Sequence, residues 1–191
     1  MSAPRGAMRV IGGRSRGRRL SAPVPVDVRP TSDRVREAIF DILGSLGGVE
    51  DLVVADLFCG TGAMGIEALS RGARSVAFVD RAPAALAAVR ANVAAVGLAD
   101  ERWTAAAGVL PGWLGSATRF DLVFCDPPYA FDRWPELLAS LRTPLAVLES
   151  SRPLELPPEW TVTKVRRYGG TLVTVARPIS SADGSPRAGG S

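Results

Sequence analysis

A chain of 191 residues, 47% hydrophobic and 22% charged, has the composition of one folded domain with room for a proper core. It carries a net charge of +4, no histidine and two cysteines, which excludes a disulfide framework and argues against a zinc site or a histidine general base. No apolar run approaches the length of a membrane span, and the opening MSAPRGAMRVIGG lacks the apolar centre of a secretory signal, so a cytoplasmic protein is expected.

In chain order, residues 1–36 come first. They hold nine arginines against Asp27 and Asp33, a local charge of +7 beside −3 for the remainder. Such an arm points to a polyanionic partner, because phosphate contacts supply most non-specific nucleic-acid affinity. A merely solvated arm, in a chain that uses arginine for every cation but Lys164, is the plainer alternative. Within it, Met8–Leu20 breaks short strand-like pieces with Gly12, Gly13 and Gly17, and is expected to form a small β-hairpin presenting Arg14, Arg16, Arg18 and Arg19. Thr31–Leu46 follows as a helix with Thr31 or Ser32 at its N-cap.

Apolar runs and helical patterns then alternate. Leu52–Phe58 reads as a buried strand, Ala63–Arg71 as a helix, Ser75–Asp80 as a second strand and Pro83–Val96 as an alanine-rich helix. A weak strand is expected near Arg102–Ala106, a strong one at Phe120–Cys125, a short helix at Trp134–Leu141 and a further strand at Pro144–Glu149. This alternation implies right-handed crossovers and a mostly parallel sheet covered on both faces. Thr161–Tyr168 and Thr171–Arg177, separated by Gly169 and Gly170, read as a closing antiparallel hairpin. The tail 180–191, rich in serine and glycine and without apolar anchors, is expected to be disordered. The expected organisation is a basic extension over residues 1–28, a Rossmann-like α/β domain with a seven-stranded sheet over 29–179, and the tail.

Gly60-Thr61-Gly62-Ala63-Met64-Gly65 follows a strand and opens a helix, and Asp80 ends the next strand. That spacing fits a dinucleotide site as well as it fits a methyltransferase. Asp56 separates the two, since a carboxylate near the end of the first strand would face a pyrophosphate unfavourably but would suit the ammonium and sulfonium of S-adenosylmethionine. Glycines 60 and 62 would let the backbone approach the cofactor, amides opening the helix would meet its carboxylate, and Asp80 would take its ribose hydroxyls. Ala107 stands where an acidic or amide residue is often found near the adenine.

Asp126-Pro127-Pro128-Tyr129 follows the strand FDLVFC and resembles the motif of amino-group methyltransferases acting on nucleic-acid bases. An exocyclic amine is a poor nucleophile because its lone pair is delocalised into the ring. The Asp126 carboxylate and the Pro127 carbonyl can each accept one of its N–H bonds, turning the nitrogen towards tetrahedral geometry. Prolines stiffen the loop, and Tyr129 offers a flat face for the base. A parallel sheet would carry both motifs to the carboxyl ends of adjacent strands. Cys59 and Cys125 are expected to be reduced packing residues.

Four blocks carry a family resemblance: RVIGGRSRGRRL (Arg9–Leu20), RPTSDRVREAIFDIL (Arg29–Leu43), DLFCGTGAMGIEALSRGA (Asp56–Ala73) and DPPY. Over about Met8 to Arg177 the chain resembles the bacterial RsmD-type methyltransferases. The resemblance implies S-adenosylmethionine as cofactor, held by Asp56, Cys59, Gly60, Thr61, Gly62, Gly65, Asp80 and Arg81, with catalysis by Asp126, Pro127, Pro128 and Tyr129. It implies as substrate the 2-amino group of a guanine in 16S rRNA, on an assembled or partly assembled small subunit. It suggests that Arg29, Thr31 and Arg34 border the cofactor and target pocket, where with the arm's Arg14, Arg16, Arg18 and Arg19 they would hold the rRNA; a monomer without metal is expected. On the helix itself, Asp33, Arg36 and Glu37 are neighbours at helical spacing, for which a structural ion-pair face is sufficient reason. Departures from the pattern are Cys59 for alanine, Asp80 for glutamate, Asp41 for asparagine, and Ala107. A DNA or small-molecule amino-methyltransferase, or a non-catalytic ribosome-binding protein, are the alternatives.

Overall fold

The computed structural model describes residues 8–21, 32–115 and 119–179; Arg29, Thr31 and the tail 180–191 lie outside them. Its elements in chain order are α1 (Asp33–Ser45), β1 (Val53–Leu57), α2 (Ala63–Ser70), β2 (Ser75–Asp80), α3 (Pro83–Ala95), β3 (Trp103–Ala107), β4 (Leu122–Cys125), α4 (Trp134–Ser140), β5 (Ala146–Ser150), β6 (Trp160–Tyr168) and β7 (Thr171–Pro178). Strands as apolar as β1 and β4 must be covered on both faces, and they occupy the middle of a seven-stranded sheet ordered β3-β2-β1-β4-β5-β7-β6. The first five in that order run parallel. β7 enters antiparallel between β5 and β6. One apolar layer joins Val54, Phe78 and Phe124 of the sheet to Ile39, Phe40 and Leu43 of α1 and Val89 of α3. The other joins Val123, Cys125 and Leu148 to Leu137 and Leu138 of α4.

Element ends follow local chemistry. Ser32 caps α1, its side chain accepting from the Val35 amide at 3.3 Å. Pro83 opens α3, where its missing N–H would have had no partner.

The segment 8–21 is a turn closed by one antiparallel bridge, Arg9 to Arg19, with the Val10 amide on the Arg18 carbonyl at 3.0 Å and the Leu20 amide on Met8 at 2.8 Å. It is built into the core, since Met8, Val10 and Leu20 are buried in the α1–α3 layer. Glu67 of α2 holds it there: its two carboxylate oxygens accept the Ile11 and Gly12 amides, both at 2.7 Å, and one also accepts Arg71 Nε at 2.7 Å. Arg36 is wholly buried beside it, its Nε 3.7 Å from Glu67, and donates to the Arg9 carbonyl and to Asp33 Oδ1. The ion pair expected at helical spacing on α1 is therefore present, but Arg36 faces inward and clamps three segments together, while Glu37 is exposed.

Removing one partner of a buried ion pair leaves the other uncompensated. Urea unfolding should find Glu67→Ala less stable by about 3–5 kcal/mol, and Asp33→Ala, whose carboxylate is half exposed, by less than about 1 kcal/mol. Equal losses would mean that the clamp does not centre on Glu67.

Candidate active site

β1 and β4 are adjacent and parallel, with Leu57 opposite Cys125, so the chain leaving each emerges at the same end of the sheet. Strand order reverses between them, which opens a crevice there. The glycine loop and Asp126–Tyr129 flank this crevice, and Asp80 stands one strand away at the end of β2.

Asp56, in β1, is buried, and its Oδ2 accepts the Gly65 amide of α2 at 2.9 Å. Asp80 ties the loop from the other side, Oδ2 accepting the Gly60 amide at 3.0 Å and Oδ1 the Ala82 amide at 2.8 Å. Asp80 thus shapes the loop as well as bordering the crevice, and each oxygen retains a lone pair for a hydroxyl donor. Ala107 lies level with it on β3, and the Gly108 amide binds the Asp80 carbonyl. The loop glycines divide their work. Gly60, at φ 51°, has open space where a side chain would begin, so its requirement is conformational. At Gly65 an added Cβ would stand 2.3 Å from the Phe78 ring, so it is small because the helix packs tightly on β2; Gly62, at φ 77°, answers both demands, since its Cβ would also stand 2.9 Å from Val89.

After β4, Pro127 is buried and Tyr129 is 65% exposed, its ring available to a flat ligand. The Phe131 amide on the Pro128 carbonyl at 2.8 Å closes the turn. Phe58, Phe131 and Trp134 stack edge to face beneath it, with centroids 5.1 and 5.5 Å apart. A shallow hollow beside Pro127 and Tyr129 is lined also by Glu149 and Arg152. Glu149, buried at the end of β5 and level with Asp126 across the ladder, escaped the sequence reading. Its signal was an acid ending an otherwise apolar strand.

Burial pushes Asp56 up to about 8; the Gly65 amide opposes the shift, and the charges of Asp126 and Asp80 add to it. Three carboxylates thus meet at one end of three neighbouring strands, a field suited to a cationic ligand. No three metal-ligating side chains gather among the described residues. Both thiols, Cys59 and Cys125, are pushed above their ordinary range by burial and by the Asp56 charge, so neither is a nucleophile.

The arginines assigned from sequence are spread out. Arg14 pairs with Glu101, its backbone amide binds the Ser70 carbonyl, and Arg18 lies against Gly97. Those contacts are at the ends of α2 and α3 remote from the glycine loop. Arg16, Arg19, Arg34 and Arg81 are exposed. Thr61 touches the arm's nearer end, its hydroxyl 3.9 Å from the Met8 sulfur.

A family described as conserved hypothetical protein 95 matches residues 8–177. A Bacillus subtilis protein named "Putative rRNA methyltransferase YlbH" is 35% identical over 182 residues, covering 88% of this chain and 97% of that one. The Haemophilus influenzae protein "Ribosomal RNA small subunit methyltransferase D" is 29% identical over 86% of this chain and 91% of its own length. Among solved structures, "Putative methyltransferase yhhF" from Escherichia coli superposes with a TM-score of 0.78 at 28% identity, covering 91% of this chain and 98% of that one.

Asp56 also fixes a pH dependence. In the unfolded chain it ionises near 3.8, in the folded chain near 8, so between those values the folded state holds the extra proton. Stability must then fall as pH rises through that window, by up to about 1.4 kcal/mol per unit, and level off above it. Asp56→Asn, which keeps an acceptor for Gly65, should lose this decline; urea melts at about pH 5, 6.5 and 8 measure it. Parallel curves for the two proteins would remove the shift.

Proposed function

The chain belongs to the family described as conserved hypothetical protein 95, that of the RsmD-type methyltransferases, and from that membership we propose that it methylates the 2-amino group of a guanine in small-subunit rRNA, with S-adenosylmethionine as donor. The observation that carries this reading is the meeting of the glycine loop, Asp56, Asp80 and the DPPY turn at one end of the sheet.

The residues fit that donor. Asp126 offers negative charge to a sulfonium and an ammonium, Asp56 can add its own by giving up its proton as the cation approaches, Asp80 has lone pairs for ribose hydroxyls, and the space above Gly60 is open. Cys59, Thr61, Gly62 and Arg81 complete the proposed rim. When bound, S-adenosylmethionine supplies an electrophilic methyl group. Asp126 and the Pro127 carbonyl accept the two N–H bonds of the amine and aim its lone pair, while Tyr129 stacks on the base. The nitrogen becomes acidic once methylated and cationic, so Asp126 needs no stronger base behind it. Arg16, Arg19 and Arg34, all exposed, together with Arg29 and Thr31, are proposed rRNA contacts, and Arg14 and Arg18 join them from the far end of α2. The substrate is proposed to be an assembled or partly assembled subunit.

Labelled methyl transfer to small subunits, protein-free rRNA and duplex DNA tests this, with digestion to nucleosides to identify the product. Label in N2-methylguanosine from the subunit is expected; label confined to DNA, or none in RNA, overturns the reading. Asp126→Ala should lower single-turnover transfer by at least ~100-fold while leaving cofactor affinity largely intact. Comparable turnover in that variant would remove Asp126 from catalysis.

A further inference from the structure

Charge is segregated beyond the arm. Residues 37–159 carry −7, whereas 160–179 hold Lys164, Arg166, Arg167 and Arg177 without one acid. Those four lie on the β6–β7 hairpin, and β6 is the sheet's edge, with most of its residues exposed. Arg166, Arg167 and Arg177 are exposed, and none of the four makes an ion pair among the described residues.

Register decides where these cations stand. Asp126 follows Cys125, which is opposite Leu148, so Asp126 and Glu149 are level. Glu149 is opposite Val173, and Val173 opposite Arg166; Ser150 is likewise opposite Leu172, and Leu172 opposite Arg167. β6 runs in the direction of β5, so its last residues reach the end of the sheet where the DPPY turn lies. Three strand spacings of about 4.8 Å put Arg166 roughly 14 Å from the Asp126 row. Arg152, exposed on the hollow beside Tyr129, follows the end of β5, two strands from β6 in the sheet order.

Charged residues on an edge strand also discourage pairing with other sheets. Either sign would serve that purpose, yet here a body of −7 is finished by an edge of one sign, with Arg166 and Arg167 towards the catalytic end and Arg177 at the other. We infer that the β6–β7 hairpin is a phosphate-binding edge that holds the single-stranded RNA flanking the target nucleotide, with Arg166 and Arg167 as its principal contacts. This rests on the rRNA reading above. The arm's Arg14 and Arg18, by contrast, stand at the opposite end of α2 and α3.

The test compares Arg166→Ser/Arg167→Ser with Arg74→Ser/Arg102→Ser, which removes two exposed arginines at the other end of the strands. Binding of protein-free small-subunit rRNA is followed by anisotropy between about 50 and 200 mM salt. Losing two single-strand phosphate contacts should flatten the slope of log K against log salt by about 1.4. KM for the subunit should rise about tenfold with kcat and cofactor affinity unchanged, as expected when binding alone is lost. The control pair should keep the wild-type slope, and Arg166→Lys/Arg167→Lys should restore it. An unchanged slope and KM in the first variant, melting like the wild type, overturns the inference alone. A loss on subunits but not on protein-free rRNA assigns the edge to a ribosomal protein and overturns it too. Wild-type protein that binds no rRNA overturns the functional reading, and this inference with it.

Discussion

Parallel strands all deliver the chain to one end of a sheet, and where strand order reverses the two departing loops part and leave a crevice. In this protein the reversal falls between β1 and β4. Everything chemical follows from that junction. The glycine loop leaves one strand, the DPPY turn leaves the other, and Asp80 closes the loop from the neighbouring β2. The same direction of chain brings the first amides of α2 to the crevice, where Gly65 already binds Asp56. The site is a property of strand direction before it is a property of any residue.

The crevice also concentrates negative charge at a cost to the fold. Asp56 is buried with two other carboxylates near it and one backbone amide to compensate, so it holds a proton well above the ordinary range. A cation brought close would release that proton and make Asp56 an ionic partner. Binding and protonation are therefore linked, and a protonated Asp56 makes the crevice easier to keep than three ionised acids would.

Much of this was legible in sequence because its causes are local. Apolar runs bounded by glycine, proline and charge located all seven strands to within two residues, and β3 read weakly because WTAAA is only half buried. Strand ends followed by glycine or proline located Asp56, Gly60, Asp80 and Asp126. What was not legible depends on direction or on distant partners. Helical spacing made Arg36 a neighbour of Asp33 but could not tell that it points into the core. Glu67 was visible as the lone acid in AMGIEALS, yet the Ile11 and Gly12 amides it holds come from a segment more than fifty residues away. Spacing also could not tell that Val89 stands against Gly62 and Phe78 against Gly65. Counting charge over the whole remainder of the chain hid the cationic hairpin inside an acidic average.

The docking of residues 8–21 has a consequence for the order in which the molecule is assembled. Its backbone is fastened by Glu67 and Ser70, and its Ser15 hydroxyl by the Val96 carbonyl 81 positions later. A chain made from its N-terminus therefore emits this segment before α2 and α3, on which it settles. Such contacts of long sequence separation are slow to form, because the intervening chain must be closed into a loop before they contribute. Residues 8–21 are then the last seam of this half of the core to close, and until they do Met8, Val10 and Leu20 remain outside the apolar layer that they share with α2 and α3. Glu67 is the latch on that seam, and losing it would show first as slow or incomplete maturation of newly made protein.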